Sequence, residues 1–406
     1  MLRLPADVAA RVAAWQGTED VLFSGNHSYD WLHEHNIIRS FDAGTGHLEI
    51  SKNNQLDWSR WEGFGMYYFQ NVLEELDATG EYYIDRLTGT LVFYPPATAG
   101  QSFSVKVLRQ DNSADAIIEL ADASHIAFLG LTFAYSQNSG FIACGVEHVT
   151  LKNSVVKNVS GHGLVLGEHD PGMLGLEYKY GDNGWYDDGH TAQDNGLHYT
   201  VTGCDIMNSG AWGCLVFTGD SSRRASGHLL FQDNVVEYPG LIHNTPALEI
   251  TGVGTKLLSN RFAHAQSGGV ALSLVDSEFA YNEIRDTFGD MGQDGGALAI
   301  ATGLRFGLRV HHNLIHQIPR QQVALSWKPR GVANRSGIYV DQVATSMELN
   351  HNVLFGCPRG IIMPQHQRKD RLQAIHGQGR RQRCDKPGSS QSATGTVASP
   401  ACRRRT

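Results

Sequence analysis

The alternation of apolar and polar positions repeats along the second half of the chain. LRVHHNLIHQI from Leu308 and MELNHNVLFGC from Met347 each set an asparagine, Asn313 or Asn352, between two short alternating runs. LLFQDNVVEY (Leu229 to Tyr238), KLLSNRFAHA (Lys256 to Ala265) and EFAYNEIRDT (Glu278 to Thr287) share that register. Together they place Asn234, Asn260, Asn282, Asn313 and Asn352 in one column, at successive separations of 26, 22, 31 and 39 residues. Such a period with occasional additions marks a solenoid, in which each coil is one unit and the extra residues bulge from its side. Two earlier segments join the column: TLKNSVVKNV (Thr150 to Val159) with Ser154, and VTGCDIMNSG (Val201 to Gly210) with Asp205.

The apolar runs are short, rich in Val, Ile, Leu and Phe, and bounded by Gly and Asn. This favours strands, because branched side chains suit a pleated surface and Gly or Asn suit the turns between them. None of these repeat segments sustains a helical period, and the spaced leucines of a leucine-rich repeat are missing. The predicted fold class is therefore all-β, a right-handed parallel β-helix with asparagines stacked at a bend and apolar side chains filling the interior.

Residues 1–110 do not follow the repeat. A short helix is predicted from Ala6 to Trp15, followed by a stretch rich in aromatic residues, among them Trp58, Trp61, Tyr67, Tyr68 and Phe69, read mainly as the core of a small β-rich domain. In EYYIDRLTGTLVFYPP (Glu81 to Pro96) the alternation on both sides of Arg86-Leu87-Thr88-Gly89 predicts a β-hairpin with Gly89 at positive φ. The repeat is entered between Ser113 and Phe133. This divides the chain into a β-rich domain (1–110), the β-helix (111–363) and a tail (364–406).

Charge sharpens that division. The net charge is −8 over 406 residues, but ten of the 33 basic and only two of the 41 acidic residues follow Pro364, which leaves −16 before it. An acidic body argues against a nucleic-acid partner. The tail has almost no apolar periodicity and is expected to be disordered, either a non-native end or a basic anchor. There is no run of 18 apolar residues to span a membrane, and MLRLPADVAARVAAW lacks the apolar core of a secretory signal. Cys144, Cys204, Cys214 and Cys357 lie in or beside apolar strands and read as buried thiols without zinc-ligand spacing. His311, His312 and His351 precede column asparagines and read as bend residues, so no metal and no cofactor is predicted.

SGNHSYDW (Ser24 to Trp31) and FQNVLEELDATGEYYIDRLTGTLVFYPP (Phe69 to Pro96) resemble the β-rich domain inserted near the start of a large group of bacterial right-handed β-helix proteins. That group includes glycoside hydrolase family 141, with α-L-fucosidase and xylanase activities, and the likeness runs from about Val12 to Met363. The resemblance implies a secreted, periplasmic or cell-surface protein acting on polysaccharide or oligosaccharide, expected to be a monomer. Relatives carry further coils before and after the matched region, so poor solubility is expected of the chain as given.

Two segments carry the catalytic expectation. QDGGALAI, with Asp294, resembles the family's acidic segment before Gly-Ala-Ile-Tyr, and GIYVDQ, with Asp341, resembles its Gly-Ile-Tyr-Leu-Asp-Asp; Ala299 and Gln342 depart from that pattern. Period-2 alternation turns Ile338 and Val340 inward, hence Tyr339 and Asp341 outward. Glycoside hydrolysis needs one acid to protonate the leaving oxygen and another to attack or to activate water, at about 5 Å for retention or roughly 6.5 to 9.5 Å for inversion. Aligning Gly296 with Gly337 stacks Asp341 on Ile300 and leaves Asp294 six residues upstream, so Gly295-Gly296 has to fold it back. Tyr339, Glu249 in PALEITG, and Trp185 and Tyr186 in the excursion from Gly167 to Gly196 are the expected substrate contacts, the excursion having a solvated loop as its alternative reading. The leading function is a glycoside hydrolase using Asp294 and Asp341. The alternatives are a polysaccharide lyase or epimerase, which requires outward cations that are scarce on the strands, and a non-catalytic carbohydrate-binding module or adhesin.

Overall fold

The structure is a computed structural model. It describes residues 2–25, 33–51, 67–95, 116–167, 195–221, 223–289, 294–300, 306–319, 334–341 and 346–363; the tail from 364 and the segment holding Trp185 and Tyr186 lie outside the described residues.

From Ala116 the chain winds as a parallel β-helix. Every coil adds one strand to each of three parallel sheets. Sheet 1 has nine strands, from Ala116–Ala121 to Ile361–Ile362. Sheet 2 has eight, from Ser124–Leu129 to Glu348–Asn350, and sheet 3 has eight, from Thr132–Ser136 to Val353–Phe355. The period of two in each strand turns alternate side chains inward, and coil-to-coil pairing files them along the axis. Leu164, Cys214, Leu248, Val270, Leu298 and Ile338 form one such file on sheet 1. Phe231, Phe262 and Phe279 stack deeper in the same core, at centroid separations of 6.4 and 6.3 Å. Each of these side chains is fully buried, worth about 1.5–3 kcal/mol apiece for the larger ones.

Between sheets 2 and 3 the chain turns through one left-handed residue, such as Asn153, Asp233, Ser259, Tyr281, His312 or His351, and the next residue points inward. That inward residue is the asparagine of the sequence column. Each amide bonds in both directions. Asn260 Nδ2 donates to Asn282 Oδ1 (3.0 Å) and to the Phe231 carbonyl (2.9 Å), and Asn282 Oδ1 also accepts the Asn260 backbone N–H at 2.8 Å. The same three bonds recur at Asn234, Asn282 and Asn313, and Asn352 keeps the one to the Val310 carbonyl. Upstream, Ser154 Oγ keeps the site by accepting from Leu131 N–H at 3.1 Å. The next coil differs from the sequence reading: Cys204, not Asp205, occupies the column, its N–H donating to Asn234 Oδ1 at 2.9 Å, while Asp205 is exposed. The site is buried and faces backbone carbonyls, which suits a small thiol and penalises a carboxylate.

The N-terminal unit is a five-stranded antiparallel sheet (Leu2–Arg3, Leu22–Gly25, Glu34–Asp42, His47–Ile50 and Tyr67–Gln70) packed on the helix Ala6–Ala13. Its core joins Phe23, Ile38 and Leu48 with Trp15, Tyr67 and Phe69. The predicted hairpin is formed by Tyr82–Asp85 and Thr90–Phe93, with Gly89 at φ 69° and Asp85 Oδ1 accepting from the N–H groups of Leu87 and Thr88. The unit docks on the β-helix through histidines. His35 Nε2 lies 2.7 Å from the Ile242 carbonyl, Ser24 Oγ lies 2.8 Å from His35 Nδ1, and the His35 and His243 rings meet edge to face at 5.5 Å.

Two predictions follow from these contacts. Asn282→Ala strands the Asn260 N–H and the Leu257 carbonyl inside the core and is expected to cost about 3 kcal/mol in denaturant unfolding, whereas Asn352→Ala, at the half-buried end of the ladder, is expected to cost about 1 kcal/mol; equal losses would show that the ladder does not act as a chain. Burial pushes His243 down to about 4 and also lowers His35. Both rings are neutral when folded, so their contribution is complete above the unfolded histidine range near 6.5 and is lost as pH falls from there toward 4. The melting temperature should therefore drop across that interval, less steeply in His243→Gln; identical slopes would rule the pair out as its source.

Candidate functional site on the outer face of sheet 1

The candidate residues of the strands lie on sheet 1, and its register decides which of them meet. Strands Asp294–Ile300 and Asn334–Val340 pair with Asp294 opposite Asn334, Gly296 opposite Ser336 and Ile300 opposite Val340. This corrects the expected alignment of Gly296 with Gly337 by one residue. Gly337 stands opposite Ala297, where the chain rounds onto sheet 1: a β-carbon added at Gly337 would lie 2.4 Å from Leu354 Cδ2. That crowding, and the burial of Leu298 over Ile338, sets the phase. Asp341 follows the last paired residue, its N–H donating to the Ile300 carbonyl at 3.0 Å. Asp294 and Asp341 thus sit at opposite ends of neighbouring strands, roughly 20 Å apart along the backbone.

Tyr339 and Asp341 do face outward and are half-buried, between the buried Ile338 and Val340. Tyr339 belongs to an outward file that runs Leu215, Glu249, Ala271, Ala299, Tyr339 across successive coils. Two alanines therefore form a low floor about 14 Å long between the Glu249 carboxylate and the Tyr339 phenol. Beside it lies a hydroxyl-bearing file, Thr251 next to Ser273, which leads toward Asp341. By the same spacing Glu249 and Asp341 are about 16 Å apart.

At the other end of this face the outward residues are apolar and buried. Ile142, Val165, Leu215 and Phe217 cluster with Ala211 and Trp212. Trp212 sits at the border of the two halves: its indole Nε1–H donates to Glu249 Oε2 at 2.7 Å, and the buried His162 packs against its ring at 5.3 Å. This bond orients the Glu249 carboxylate in the middle of the face. Trp212 and His162 were not singled out from sequence. The available signal was positional, since His162-Gly163 and Trp212-Gly213 occupy the same step of the repeat, just before the glycine that rounds onto sheet 1.

No group of three His, Cys, Asp or Glu placed to hold a metal occurs among the described residues. His311 contacts Glu278 at 3.0 Å, and His312 stacks on His351 at 4.8 Å. No disulfide joins the four described cysteines to one another; burial pushes Cys357 up to about 11 and Cys214 well above its usual range. No helix among the described residues is long and apolar enough to cross a membrane.

The fold defines the chain as a parallel β-helix protein. A structure described as a glycoside hydrolase superposes with a TM-score of 0.50 at 14% identity, covering 87% of this chain and 70% of that one. PfbA, a surface adhesin of Streptococcus pneumoniae, matches at a TM-score of 0.42 and 14% identity over 60% of this chain and 57% of its own. The A-module of the Azotobacter vinelandii mannuronan C-5 epimerase AlgE4 matches at 0.36 and 11%, over 63% and 65%. No protein-family model and no curated protein sequence matches the chain.

The Trp212–Glu249 bond can be measured by a double-mutant cycle. Trp212→Phe keeps an aromatic ring but removes the donor, and Glu249→Gln removes the charge. A coupling of about 1 kcal/mol is expected between the two losses of unfolding free energy. Strictly additive losses would mean that the indole and the carboxylate do not interact in solution.

Proposed function

We propose that the protein is carbohydrate-active and works on a polysaccharide lying along the outer face of sheet 1, as a glycoside hydrolase of the kind its sequence resembles in family 141. The observation that carries this reading is the rigid file of Glu249, Ala271, Ala299 and Tyr339, flanked by Thr251 and Ser273. Small residues let a sugar chain approach the backbone, the phenol offers a face for a ring, and the carboxylate and hydroxyls accept or donate hydrogen bonds to sugar hydroxyls. Asp341 has the role of the proton-transferring acid, with Tyr339 and Glu249 as substrate contacts. A polysaccharide substrate places the protein in the secreted, periplasmic or cell-surface space.

A second reading, a glycan-binding protein that does not cleave, is favoured by the register. Hydrolysis by paired carboxylates needs them about 5 to 9.5 Å apart, and neither Asp294 nor Glu249 stands at that spacing from Asp341. A lyase or epimerase on uronic-acid polymers fits less well: Arg335 on the strand Asn334–Val340 is buried, with its guanidinium donating to the Gly289 and Pro319 carbonyls, and is not presented to a uronate.

Xylan, fucosylated oligosaccharides and pectin are the substrates to test, for sugar release and for binding by calorimetry. The hydrolase reading expects release that falls roughly 10²- to 10⁴-fold in Asp341→Asn, with the melting temperature nearly unchanged, and weakened binding in Tyr339→Ala. Binding without release, equal in Asp341→Asn, would leave the second reading. Neither binding nor release on any of the three would sink both.

A further inference from the structure

At the corner between sheets 1 and 2, successive coils place a histidine at one left-handed site. His125, His148, His198 and His228 have φ of 59°, 54°, 59° and 52°. Their imidazoles stack along the solenoid axis with centroid separations of 4.5, 4.4 and 4.7 Å and interplanar angles of 24°, 5° and 8°. The corner requires a left-handed residue, not a histidine: later coils fill the site with Gly254, Asp276, Gly307 and Ser346.

Several histidines elsewhere are tied to the protein through a ring nitrogen. His311 contacts Glu278, His316 contacts Glu283 and His351 contacts Asn350, at 3.0, 2.9 and 2.8 Å. Among the described residues, none of the four stacked rings makes a side-chain hydrogen bond. Three of them are exposed and His198 is half-buried. The result is a rail of imidazoles whose nitrogens are uncommitted and whose backbones are held at one coil spacing.

We propose that this rail binds divalent late first-row transition-metal ions, Zn²⁺, Ni²⁺ or Cu²⁺, each between two neighbouring imidazoles, with water completing the coordination. Neutral imidazole suits these ions. Metal–nitrogen bonds of about 2.0–2.1 Å place two nitrogens roughly 3 to 4 Å apart on one ion, a separation within reach of neighbouring rings 4.4 to 4.7 Å apart once each turns out of the stack so that its nitrogen lone pair points at the shared ion. Folding has already brought each pair of ligands together, which removes much of the ordering cost of binding. Since three donors do not converge, four rings hold two ions, one between His125 and His148 and one between His198 and His228. Glu147, whose charge acts on His198, adds a favourable field for cations.

The test is calorimetric titration of the full chain with ZnCl₂, and with NiCl₂ as a second probe, against a His148→Asn/His198→Asn double variant. Asparagine already holds left-handed sites at Asn153 and Asn158, so the corner is retained, and circular dichroism checks the fold. Micromolar binding of up to two ions is expected, weakened at least tenfold in the double variant, because His125 and His228 are too far apart to share an ion. Should the double variant fail to fold, His148→Asn alone must lose one ion and keep the other. Equal titration curves for the natural chain and the folded variant, or no binding by the natural chain at millimolar metal, overturns the proposal.

Discussion

Coil-to-coil register is the constraint from which the rest of this protein follows, and the buried asparagine ladder enforces it. Each amide satisfies a backbone N–H of the preceding coil and a carbonyl on the far side of the corner, so a coil that slipped by one residue would strand several buried polar groups at once. The same slip would turn every inward file outward, because strand side chains alternate with a period of two. The ladder and the apolar files therefore specify the same alignment independently.

A fixed register orders the outside as strictly as the inside. The file from Glu249 to Tyr339 and the histidine rail are both columns, regular because the core behind them is regular. Outward positions are released from packing, so they are where one β-helix differs from another, and fold alone does not settle what they do. On sheet 1 the change from buried apolar residues to half-buried polar ones occurs between neighbouring coils, and Trp212 spans it, with its ring in the apolar cluster and its N–H on Glu249. The histidine contacts of His35 with Ile242 and His243 bring the small N-terminal sheet against the loop that follows Trp212 in the next coil.

Much of this was legible in the sequence. The asparagine column could be read because a buried amide demands an identical partner in the next coil, so the residue recurs while its neighbours vary. The hairpin around Gly89 was legible because its turn is local. Ser154 was placed correctly, whereas Asp205 was chosen over Cys204, since a polar column suggested a polar residue and the site in fact rewards small size. The pairing of Gly296 with Ser336 was missed because two consecutive glycines gave the sequence no phase; the burial of Leu298 against Ile338 supplied it.

The sequence by itself determined the strands, the solenoid and the outward direction of Tyr339 and Asp341, all of which depend on periods of a few residues or on one repeated residue. Only the tertiary structure decided which outward residues become neighbours. His125, His148, His198 and His228 are 23, 50 and 30 residues apart, and insertions of unequal length hide their common column until the coils are wound. Trp212 meets Glu249, and Asp294 is held away from Asp341, for the same physical reason: contact across coils is set by hydrogen-bonded register, which the spacing of residues along the chain does not contain.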